Sequence, residues 1–278
     1  WCKLKNIPKI FKLFDLTGRN IIITGSSGTL GSQYADTLSQ AGANVILIDI
    51  NDKNNNLDKT LRKKYKTKAR FYCADISIEK NVLSLKKNIL KDFKKIDGLI
   101  NNAAYTNINA IKDSDNISAS FEKFSFKLWK KTLDVNLSSV FNCCKVFGSE
   151  MAKQRKGTIV NIASIYGMVG TDQRIYGNSK INSPASYAAA KGGIINLTRY
   201  LAAYWHRKNI RINTLTPGGV LDKKYQKQNF VEKYSQKTIL GRMANKNEYN
   251  GAILFLMSDA SSYMTGSNLI IDGGWTAW

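Results

Sequence analysis

The stretch NIIITGSSGTLGSQYADTLSQAG, residues 20–42, joins an apolar run to a glycine-rich turn and then to an amphipathic segment. The apolar run predicts a buried β-strand over Asn20–Thr24, and the amphipathic segment predicts a helix that begins at Gly31. Gly25, Gly28 and Gly31 allow a tight turn, a close approach of the backbone to a phosphate, and close packing of the helix on the strand. The helix N-terminus then faces a pyrophosphate, so this stretch predicts a dinucleotide site in the first strand–turn–helix unit.

The remainder of the chain continues this alternation of short apolar runs and longer amphipathic segments. Six further runs predict strands over Asn44–Ile48, Ala69–Ala74, Gly98–Asn101, Gly157–Ala163, Ile210–Thr214 and Asn268–Ile271. The other segments predict helices over Gly31–Gln40, Asn54–Lys66, Lys80–Lys95, Phe126–Lys153, Ala185–Lys208 and Glu248–Ser258. Because the runs are rich in Val, Ile and Leu, we expect strands buried on both faces, as in a parallel sheet. The pattern favours an α/β fold: one doubly wound, Rossmann-type domain over residues 16–278, with a parallel seven-stranded sheet and helices on both faces.

Three segments interrupt the alternation, at about residues 105–123, 165–184 and 221–240. Each follows the carboxyl end of a strand, which is the edge where open α/β sheets bind ligands. We expect these segments to be loops that contact substrate; a simple surface insertion is the alternative for any one of them.

Residues 1–15, WCKLKNIPKIFKLFD, form a basic N-terminal extension with apolar residues near helical spacing and Pro8 among them. We expect this extension to pack on its own domain or on a neighbouring subunit. An anchor at a membrane surface is the alternative. No apolar segment reaches the ~18 residues that a membrane span needs, so we expect no span.

The 278 residues carry 42 Lys and Arg against 20 Asp and Glu, a net charge of +22. An excess of this size is found in proteins that bind nucleic acids, anionic lipids or phosphorylated substrates. Only nine of the 42 cations are Arg, although the planar guanidinium is the better phosphate ligand. The Lys residues are scattered along the chain without an aromatic-interleaved stripe. We therefore expect no nucleic-acid partner and attribute the charge mainly to a Lys-rich composition.

Cysteine and histidine usage argues against several chemistries. The four Cys have no CxxC spacing, and with a single His, His206, they form no zinc motif. His206 falls at a predicted helix end, where an exposed or capping imidazole is expected, and a Ser-His-Asp hydrolase would depend on it alone. We therefore expect no metal, and the lack of a disulfide framework favours the cytoplasm.

Asp49 ends the second predicted strand, about 18 residues beyond Gly31. A carboxylate at this position accepts hydrogen bonds from both adenosine ribose hydroxyls and repels a 2′-phosphate. No Arg follows it to hold such a phosphate. We therefore expect NAD as the cofactor in preference to NADP; a strand-end Asp that caps a turn is the alternative.

Tyr187 and Lys191 lie four positions apart in SYAAAKGG, residues 186–193, and on a helix they share one face. A nearby ammonium favours the phenolate, which lowers the Tyr pKa from its usual ~10 towards working pH. Tyr187 is therefore a candidate proton donor or acceptor. Helical Tyr–Lys pairs are usually inert, so this pair needs the support of other motifs.

Eight motifs in this chain resemble those of the short-chain dehydrogenase/reductase family and occur in the family's order. They are TGSSGTLG from Thr24, ADIS from Ala74, NNAA from Asn101, LDVNLSSVF from Leu133, IVNIAS from Ile159, YAAAK from Tyr187, IRINTLTPGG from Ile210 and TGSNLIIDGG from Thr265. The resemblance covers about residues 16–275. It implies reversible hydride transfer between a carbinol carbon and a nicotinamide cofactor.

The resemblance also implies roles for particular residues. Tyr187 is similar to the family's general acid/base, and Lys191 to the residue that lowers the Tyr pKa and binds the nicotinamide ribose. Ser164 is similar to the residue that binds the substrate oxygen, and Asn136 to the residue that holds a water in a proton relay. The implied cofactor-binding set comprises Tyr187 and Lys191 together with Gly25, Ser27, Gly28, Thr29, Leu30, Gly31, Asp49, Asp75, Ile76, Asn102, Ala103, Ala104, Pro217, Gly218 and Val220.

The glycine turn departs from the pattern usual in single-domain members of the family. It reads TGxxGxxG, because Thr29 occupies the middle glycine position and Gly28 comes one residue earlier. This spacing resembles the longer branch, which contains nucleotide-sugar epimerases and dehydratases with a sizeable C-terminal substrate domain. The chain ends soon after DGG, so we expect the single-domain dehydrogenase branch.

Ser164 and Tyr187 are 23 positions apart, more than is usual in the family, so an insertion lies above the reacting carbon. Its polar side chains suit a polyhydroxylated or anionic substrate, and we expect substrate contacts from Tyr166, Arg174 and Tyr176. With the DGGWTAW ending, it resembles oxidoreductases of bacterial surface-sugar and flagellin modification. A loop that packs against a neighbouring subunit is the alternative.

Two long predicted helices carry more apolar residues than one sheet face needs to bury. These are Val140, Phe141, Val146 and Phe147 on the first, and Ile194, Leu197, Leu201 and Trp205 on the second. The family resemblance implies assembly through these helices, so we expect a homodimer or homotetramer.

The sequence thus predicts an NAD-dependent oxidoreductase that acts on a secondary alcohol or ketone, with a sugar or sugar derivative as its small-molecule substrate. One alternative is an epimerase or dehydratase that oxidises its sugar transiently, which the glycine spacing favours. Another is a non-catalytic protein that binds NAD or a polyanion. The presence of Asn136, Ser164, Tyr187 and Lys191 together argues against a loss of catalysis.

Overall fold

A parallel sheet of seven strands lies at the centre of the structure. The computed structural model describes residues 8–51, 56–106, 119–179 and 182–278. The strands are β1 (Asn20–Thr24), β2 (Asn44–Asp49), β3 (Ala69–Cys73), β4 (Gly98–Asn101), β5 (Gly157–Ile162), β6 (Ile210–Pro217) and β7 (Asn268–Ile271). Their order across the sheet is β3-β2-β1-β4-β5-β6-β7, so the direction of winding reverses between β1 and β4. The predicted doubly wound α/β fold is confirmed.

Helices connect these strands on both faces of the sheet. They are α1 (Lys9–Lys12), α2 (Thr29–Gln40), α3 (Leu57–Tyr65), α4 (Glu79–Phe93), α5 (Phe126–Leu133), α6 (Ser139–Cys143), α7 (Ser149–Gln154), α8 (Ala185–Tyr204), α9 (Gln228–Ser235) and α10 (Asn250–Met257). Two π-helical turns, Asp134–Ser138 and Cys144–Gly148, join α5, α6 and α7 into one helix over residues 126–154, called the long helix below.

The predicted elements differ from the structure mainly near the carboxyl edge of the sheet. Helix α2 begins at Thr29, two residues before Gly31, and β6 extends to Pro217. The segment 221–240, expected to be a loop, contains α9. Phe230, Val231 and Tyr234 recur there at helical spacing and pack together. This spacing is the signal in the sequence that could have indicated a helix. Most of the segment 105–123 lies outside the described residues.

Two apolar clusters fill the space between the sheet and its helices. Ile22 belongs to one cluster and Ile21 and Ile23 to the other, because successive side chains of a strand point to opposite faces. The first cluster packs α4, the long helix and α8, and the second packs α2, α3 and α10. Burial on both faces accounts for the continuous apolar content of the strands.

The apolar residues that were expected to exceed the needs of one chain are mostly buried within it. Phe147 and Ile194 are fully buried, and Val140, Val146 and Trp205 are nearly so, all in the cluster under the long helix and α8. Only Phe141 of the eight is exposed, to 50%. The sheet face therefore buries more of both helices than expected, so most of this set gives no support to a subunit interface, and the homodimer or homotetramer stays a prediction.

The N-terminal extension ends in contacts with its own domain. Helix α1 buries none of its residues, whereas Leu16 is fully buried. The Leu13 carbonyl accepts a hydrogen bond from the amide of Ala260, and the amide of Leu16 donates to the Ala41 carbonyl. Residues 1–7 lie outside the described residues. Within the described residues, no helix combines the length and the apolar content that a membrane crossing requires.

Phe147→Ala is expected to lower the free energy of unfolding by about 3–5 kcal/mol, because it leaves a cavity in the first cluster. Phe141→Ala, on the exposed side of the same helix, is the matched control and is expected to cost about 1 kcal/mol or less. Urea denaturation followed by circular dichroism measures both. Equal losses would contradict the orientation of the long helix.

Candidate active site

The turn between β1 and α2 brings three glycines into close contact with their neighbours. Gly25 has a φ of +64°, and a Cβ there would lie 2.7 Å from the Cα of Ala103. A Cβ at Gly31 would lie 2.1 Å from the Gly25 carbonyl oxygen, so no side chain fits at this position. Gly28 is the N-cap of α2, and no side chain caps the first turn of the helix. The cradle and the uncapped amides together fit a pyrophosphate.

Asp49 ends β2 beside this turn. Its Oδ2 accepts a hydrogen bond from the amide of Ser27 at 2.9 Å, and its Oδ1 accepts one from the amide of Ile50 at 2.8 Å. The carboxylate is therefore anchored to the glycine turn while its residue stays half-buried. Thr29 is exposed on the first turn of α2, and Leu30 packs partly against the core under that helix.

The carboxyl ends of β1 and β4 are fastened together where the winding of the sheet reverses. The Thr24 hydroxyl accepts hydrogen bonds from the amides of Asn102 and Ala103, at 3.0 and 3.1 Å. The Asn102 side chain donates to the carbonyls of Thr24 and Gly25, both at 3.1 Å. Ala104 follows, half-buried, in the same turn. The structure therefore brings the NNAA motif and the glycine turn together.

Asp75 and Ile76 follow β3 and are held by local contacts. Asp75 Oδ1 accepts hydrogen bonds from the amide and the hydroxyl of Ser77, at 2.9 and 2.6 Å. Ile76 is buried, and its carbonyl accepts a hydrogen bond from the Asn142 side chain at 3.2 Å. These contacts fix the turn at the end of β3 against the long helix.

The carboxyl end of β6 carries the last predicted cofactor-binding residues. Pro217 is buried as the final residue of the strand. A Cβ at Gly218 would lie 2.8 Å from the Cα of Asp272, which brings the ends of β6 and β7 together. Val220 pairs with Ala244 in an isolated parallel bridge.

Ser164, Tyr187 and Lys191 meet beyond the carboxyl end of β5. Ser164 is buried, and its Oγ accepts a hydrogen bond from the amide of Tyr166 at 3.3 Å. Lys191 is buried on α8, and its Nζ donates to the Ile162 carbonyl at 2.8 Å. The same Nζ lies 5.7 Å from the centre of the Tyr187 ring. The site thus combines a hydroxyl, a phenol and an ammonium group.

Burial controls the protonation of the two titratable members of this trio. It raises the pKa of Tyr187, although a hydrogen bond with the Ser164 hydroxyl acts in the opposite direction. It lowers the pKa of Lys191 to about 8. Burial outweighs the hydrogen bond, so the pKa of Tyr187 lies above its usual value, and the pKa-lowering role implied for Lys191 stays a prediction. At neutral pH the site therefore holds a neutral phenol beside a lysine that is still mostly protonated.

Asn136 is fully buried in the first π-helical turn of the long helix. Its side-chain amide donates to the Tyr105 carbonyl at 3.0 Å, and its Oδ1 accepts from the Tyr105 amide. Both ends of the side chain thus fasten the turn after β4 to the long helix. The water relay implied for Asn136 stays a prediction.

Two of the three predicted substrate residues belong to an aromatic cluster. The Tyr166 ring meets Trp275 edge to face at a centroid distance of 6.4 Å, and Tyr176 packs on Phe230 at 5.4 Å. This cluster joins the insertion to α9 and to the C-terminal segment. Both aromatic rings thus help to hold the insertion in place.

Arg174, the third predicted substrate residue, forms an ion pair within the insertion. Its Nε and a terminal nitrogen donate to the two carboxylate oxygens of Asp172, at 2.8 and 2.9 Å. Lys237 binds the same carboxylate at 2.8 Å, and these bonds hold the pKa of Asp172 well below its usual range. The guanidinium side chain is exposed on the surface.

A cavity of about 310 Å³ opens at the start of α8, next to Tyr187 in sequence. It is lined by Ala119, Phe121, Phe124, Thr171, Gln173, Asn182, Ser183, Pro184, Ala185 and Ala188. The described lining includes none of Tyr166, Arg174 and Tyr176, whose role as substrate contacts stays a prediction. The two Phe residues carry no motif that could have indicated them, since only the tertiary fold brings them to the insertion.

Metal chemistry finds no support in the described residues. They contain no group of three His, Cys, Asp or Glu side chains that could hold a metal ion. His206 lies exposed beyond the end of α8, with its Nδ1 3.2 Å from the Ala203 carbonyl oxygen. This is the exposed helix-end position that the sequence predicted.

Comparisons with known proteins agree with this fold. A family model described as enoyl-(acyl carrier protein) reductase matches residues 25–276. The sorbose reductase of Candida albicans is 31% identical over 99% of this chain and 93% of that protein. The 3-oxoacyl-[acyl-carrier-protein] reductase of Chlamydia trachomatis is 32% identical over 93% of this chain and 98% of that protein. A gluconate 5-dehydrogenase from Burkholderia cenocepacia, solved with NADP and tartrate, has a TM-score of 0.85 and 28% identity, and covers 97% of this chain and 99% of that chain.

The fold and these matches define an oxidoreductase built on a nucleotide-binding α/β sheet. The chain belongs to the short-chain dehydrogenase/reductase family. Its members use a nicotinamide cofactor, and the matched relatives place this chain among those that act on alcohol or ketone substrates.

The Nζ of Lys191 is expected to titrate near pH 8, because its buried ammonium loses solvation. Lysines labelled with ¹³C at Cε and followed by NMR against pH would give one resonance with a midpoint near 8. An exposed lysine ordinarily titrates at about 10.4, so this midpoint would stand apart. Lys191→Arg identifies the resonance by its loss. A spectrum in which every lysine titrates above pH 10 would contradict the burial of this ammonium.

Proposed function

We propose that this protein is an NAD-dependent oxidoreductase that interconverts a secondary alcohol and a ketone on a sugar-like substrate. The observation that carries the proposal is the meeting of Ser164, Tyr187 and Lys191 at the carboxyl end of β5. Parallel strands lie about 4.8 Å apart, so this trio is roughly 10 Å along the sheet edge from the glycine turn after β1. A dinucleotide bound at that turn can therefore extend to the trio.

The residues of the cleft fit a nicotinamide dinucleotide. Gly25 and Gly31 let the turn pack too closely for any side chain, and no side chain caps the first turn of α2, so its amides face the pyrophosphate. Asp49 stands beside this turn for the adenosine ribose. The bound nicotinamide supplies or accepts the hydride.

The protein's own residues move the proton that accompanies the hydride. Tyr187 donates its phenol proton to the substrate oxygen during reduction and takes it back during oxidation. Ser164 holds that oxygen through its hydroxyl. The Lys191 ammonium has three N–H donors, of which one binds the Ile162 carbonyl, so two remain for the ribose and for electrostatic support of the phenolate.

A polyhydroxylated substrate suits the cavity at the start of α8. Thr171, Gln173, Asn182 and Ser183 place hydroxyl and amide groups among its apolar side chains. Two matched proteins are named a sorbose reductase and a gluconate 5-dehydrogenase, and these names indicate a sugar and a sugar acid as substrates. These observations support a sugar, sugar acid or related polyol.

We further propose a homodimer or homotetramer that acts in the cytoplasm. Three exposed aromatic residues support assembly through the two long helices: Phe141 on the long helix, and Tyr200 and Tyr204 on α8. The rings of Tyr200 and Tyr204 stack on each other at a centroid distance of 6.0 Å.

An activity screen tests the proposed reaction. Purified protein is incubated with NAD and free polyols, sugar acids, sugar phosphates or nucleotide sugars, and NADH is followed by its absorbance. We expect net NADH formation with at least one of these classes. Sugar conversion without net NADH would instead identify an epimerase or dehydratase, and no reaction with any class would contradict the substrate proposal.

Tyr187→Phe is expected to lower kcat by about 10²–10⁴-fold, because it removes the proton donor without changing the ring. NAD affinity should stay within a few-fold of the wild type. Tyr200→Phe, on the exposed side of the same helix, is the control and should retain activity. Near-normal turnover by Tyr187→Phe would disprove its role as acid and base.

Asp49→Ala is expected to raise kcat/KM with NADP about ten- to a hundredfold relative to NAD, because it removes the repulsion between a carboxylate and the 2′-phosphate. Asp58→Ala, on α3, is the control and should leave the preference unchanged. Initial rates with both cofactors measure the ratio. Unchanged discrimination in Asp49→Ala would show that another residue selects the cofactor.

A further inference from the structure

The edge of the sheet opposite the cofactor cleft is lined with cations. Each turn that leads into β3, β4, β5 and β6 carries two of them. They are Lys66 and Lys68, Lys94 and Lys95, Arg155 and Lys156, and Arg207 and Lys208, all exposed and together called the basic edge below. The four turns contain one carboxylate, Asp97, which pairs with Lys95 at 3.0 Å. Adjacent strands lie about 4.8 Å apart, so the row from β3 to β6 is roughly 24 Å long.

The charge of +22 is therefore not spread evenly over the fold. Along the sequence the lysines look scattered, but the parallel topology collects the turns before the strands at one edge. At the other edge, carboxylates follow or end several strands: Asp49 at β2, Asp75 after β3 and Asp272 after β7. The turns that lead into β3, β4, β5 and β6 thus form a basic row on the edge of the sheet away from the cofactor cleft.

Several cations of the basic edge lie directly at helix ends, since Lys66, Lys94 and Arg155 are the C-cap residues of α3, α4 and α7. The negative end of the helix dipole accounts for Lys or Arg near the last turn of a helix. Four residues of the basic edge, however, adopt a left-handed conformation: Lys66, Lys94, Arg155 and Arg207, with φ between 53° and 68°. Glycine is the usual residue there, because a Cβ is strained at positive φ. Cationic side chains thus occupy positions at which the backbone favours glycine.

Apolar side chains are exposed on the same edge. Leu13 follows helix α1, and its carbonyl accepts a hydrogen bond from the amide of Ala260 in the segment before β7. Ile10, Phe11 and Leu13 are exposed to 58%, 49% and 41%. A nucleic-acid backbone offers no partner for aliphatic side chains, whereas the boundary between lipid headgroups and acyl chains does. Cations that flank exposed apolar residues are the composition of a peripheral membrane contact.

We propose that the basic edge and α1 together dock on an anionic lipid surface. The cations approach the headgroup phosphates while Ile10 and Leu13 enter the boundary below them. The cofactor cleft, at the other edge of the sheet, then faces away from the membrane and stays open to soluble cofactor and substrate. The attachment is reversible and weakens at high ionic strength, because exposed charges are screened by salt.

Sedimentation with lipid vesicles tests this proposal on the full chain. The protein is expected to pellet with vesicles of phosphatidylcholine mixed with phosphatidylglycerol, and to remain in solution with phosphatidylcholine alone. Four reversals on the basic edge, Lys66→Glu, Lys94→Glu, Lys156→Glu and Lys208→Glu, should reduce partitioning more than about a hundredfold, at roughly fivefold or more for each cation. Ile10→Ser with Leu13→Ser should weaken binding and leave its salt dependence in place.

A control with the same total charge separates the basic edge from net charge. Lys59→Glu, Lys127→Glu, Lys223→Glu and Lys246→Glu reverse four exposed lysines elsewhere and should retain most of the vesicle binding. Circular dichroism establishes that each variant is folded. Equal losses in both quadruple variants, binding to phosphatidylcholine alone, or preferential binding of single-stranded RNA over anionic vesicles would each overturn the proposal.

Discussion

The Thr24 hydroxyl joins the end of β1 to the turn after β4, where the winding of the sheet reverses. It accepts hydrogen bonds from the amides of Asn102 and Ala103, while the Asn102 side chain reaches back to Gly25. In open α/β sheets the crevice outside such a reversal is the place where ligands bind. The close contact between Gly25 and Ala103 depends on this junction, and so does the shape of the cleft.

The chemistry of the site depends on a second junction, between β5 and α8. The buried Lys191 ammonium donates a hydrogen bond to the Ile162 carbonyl, which fixes α8 against β5. This contact also sets the distance between the Lys191 Nζ and the Tyr187 ring. Burial that lowers the pKa of the ammonium also raises the pKa of the phenol. The two shifts follow from one cause, and the raised pKa of Tyr187 keeps its phenol protonated at neutral pH.

The strands, the glycine turn and the Ser164–Tyr187–Lys191 grouping could be predicted from the sequence, because each rests on local periodicity or on motif spacing. The surroundings of Arg174, Tyr166 and Tyr176 could not. Only the fold brings them to partners such as Asp172 and Trp275. The sequence alone does not distinguish a polar side chain that binds another residue from one that binds a ligand. The burial of the apolar faces of the long helix and α8, and the row of cations on the basic edge, could not be predicted either. Both depend on how the parallel strands are arranged in space.

Calorimetric titration of the wild-type protein with NAD and with NADP tests the central claim most directly, since it depends on no assumption about substrate. We expect one saturable site per chain that binds NAD more tightly than NADP. Absence of saturable NAD binding, or tighter binding of NADP, would contradict it.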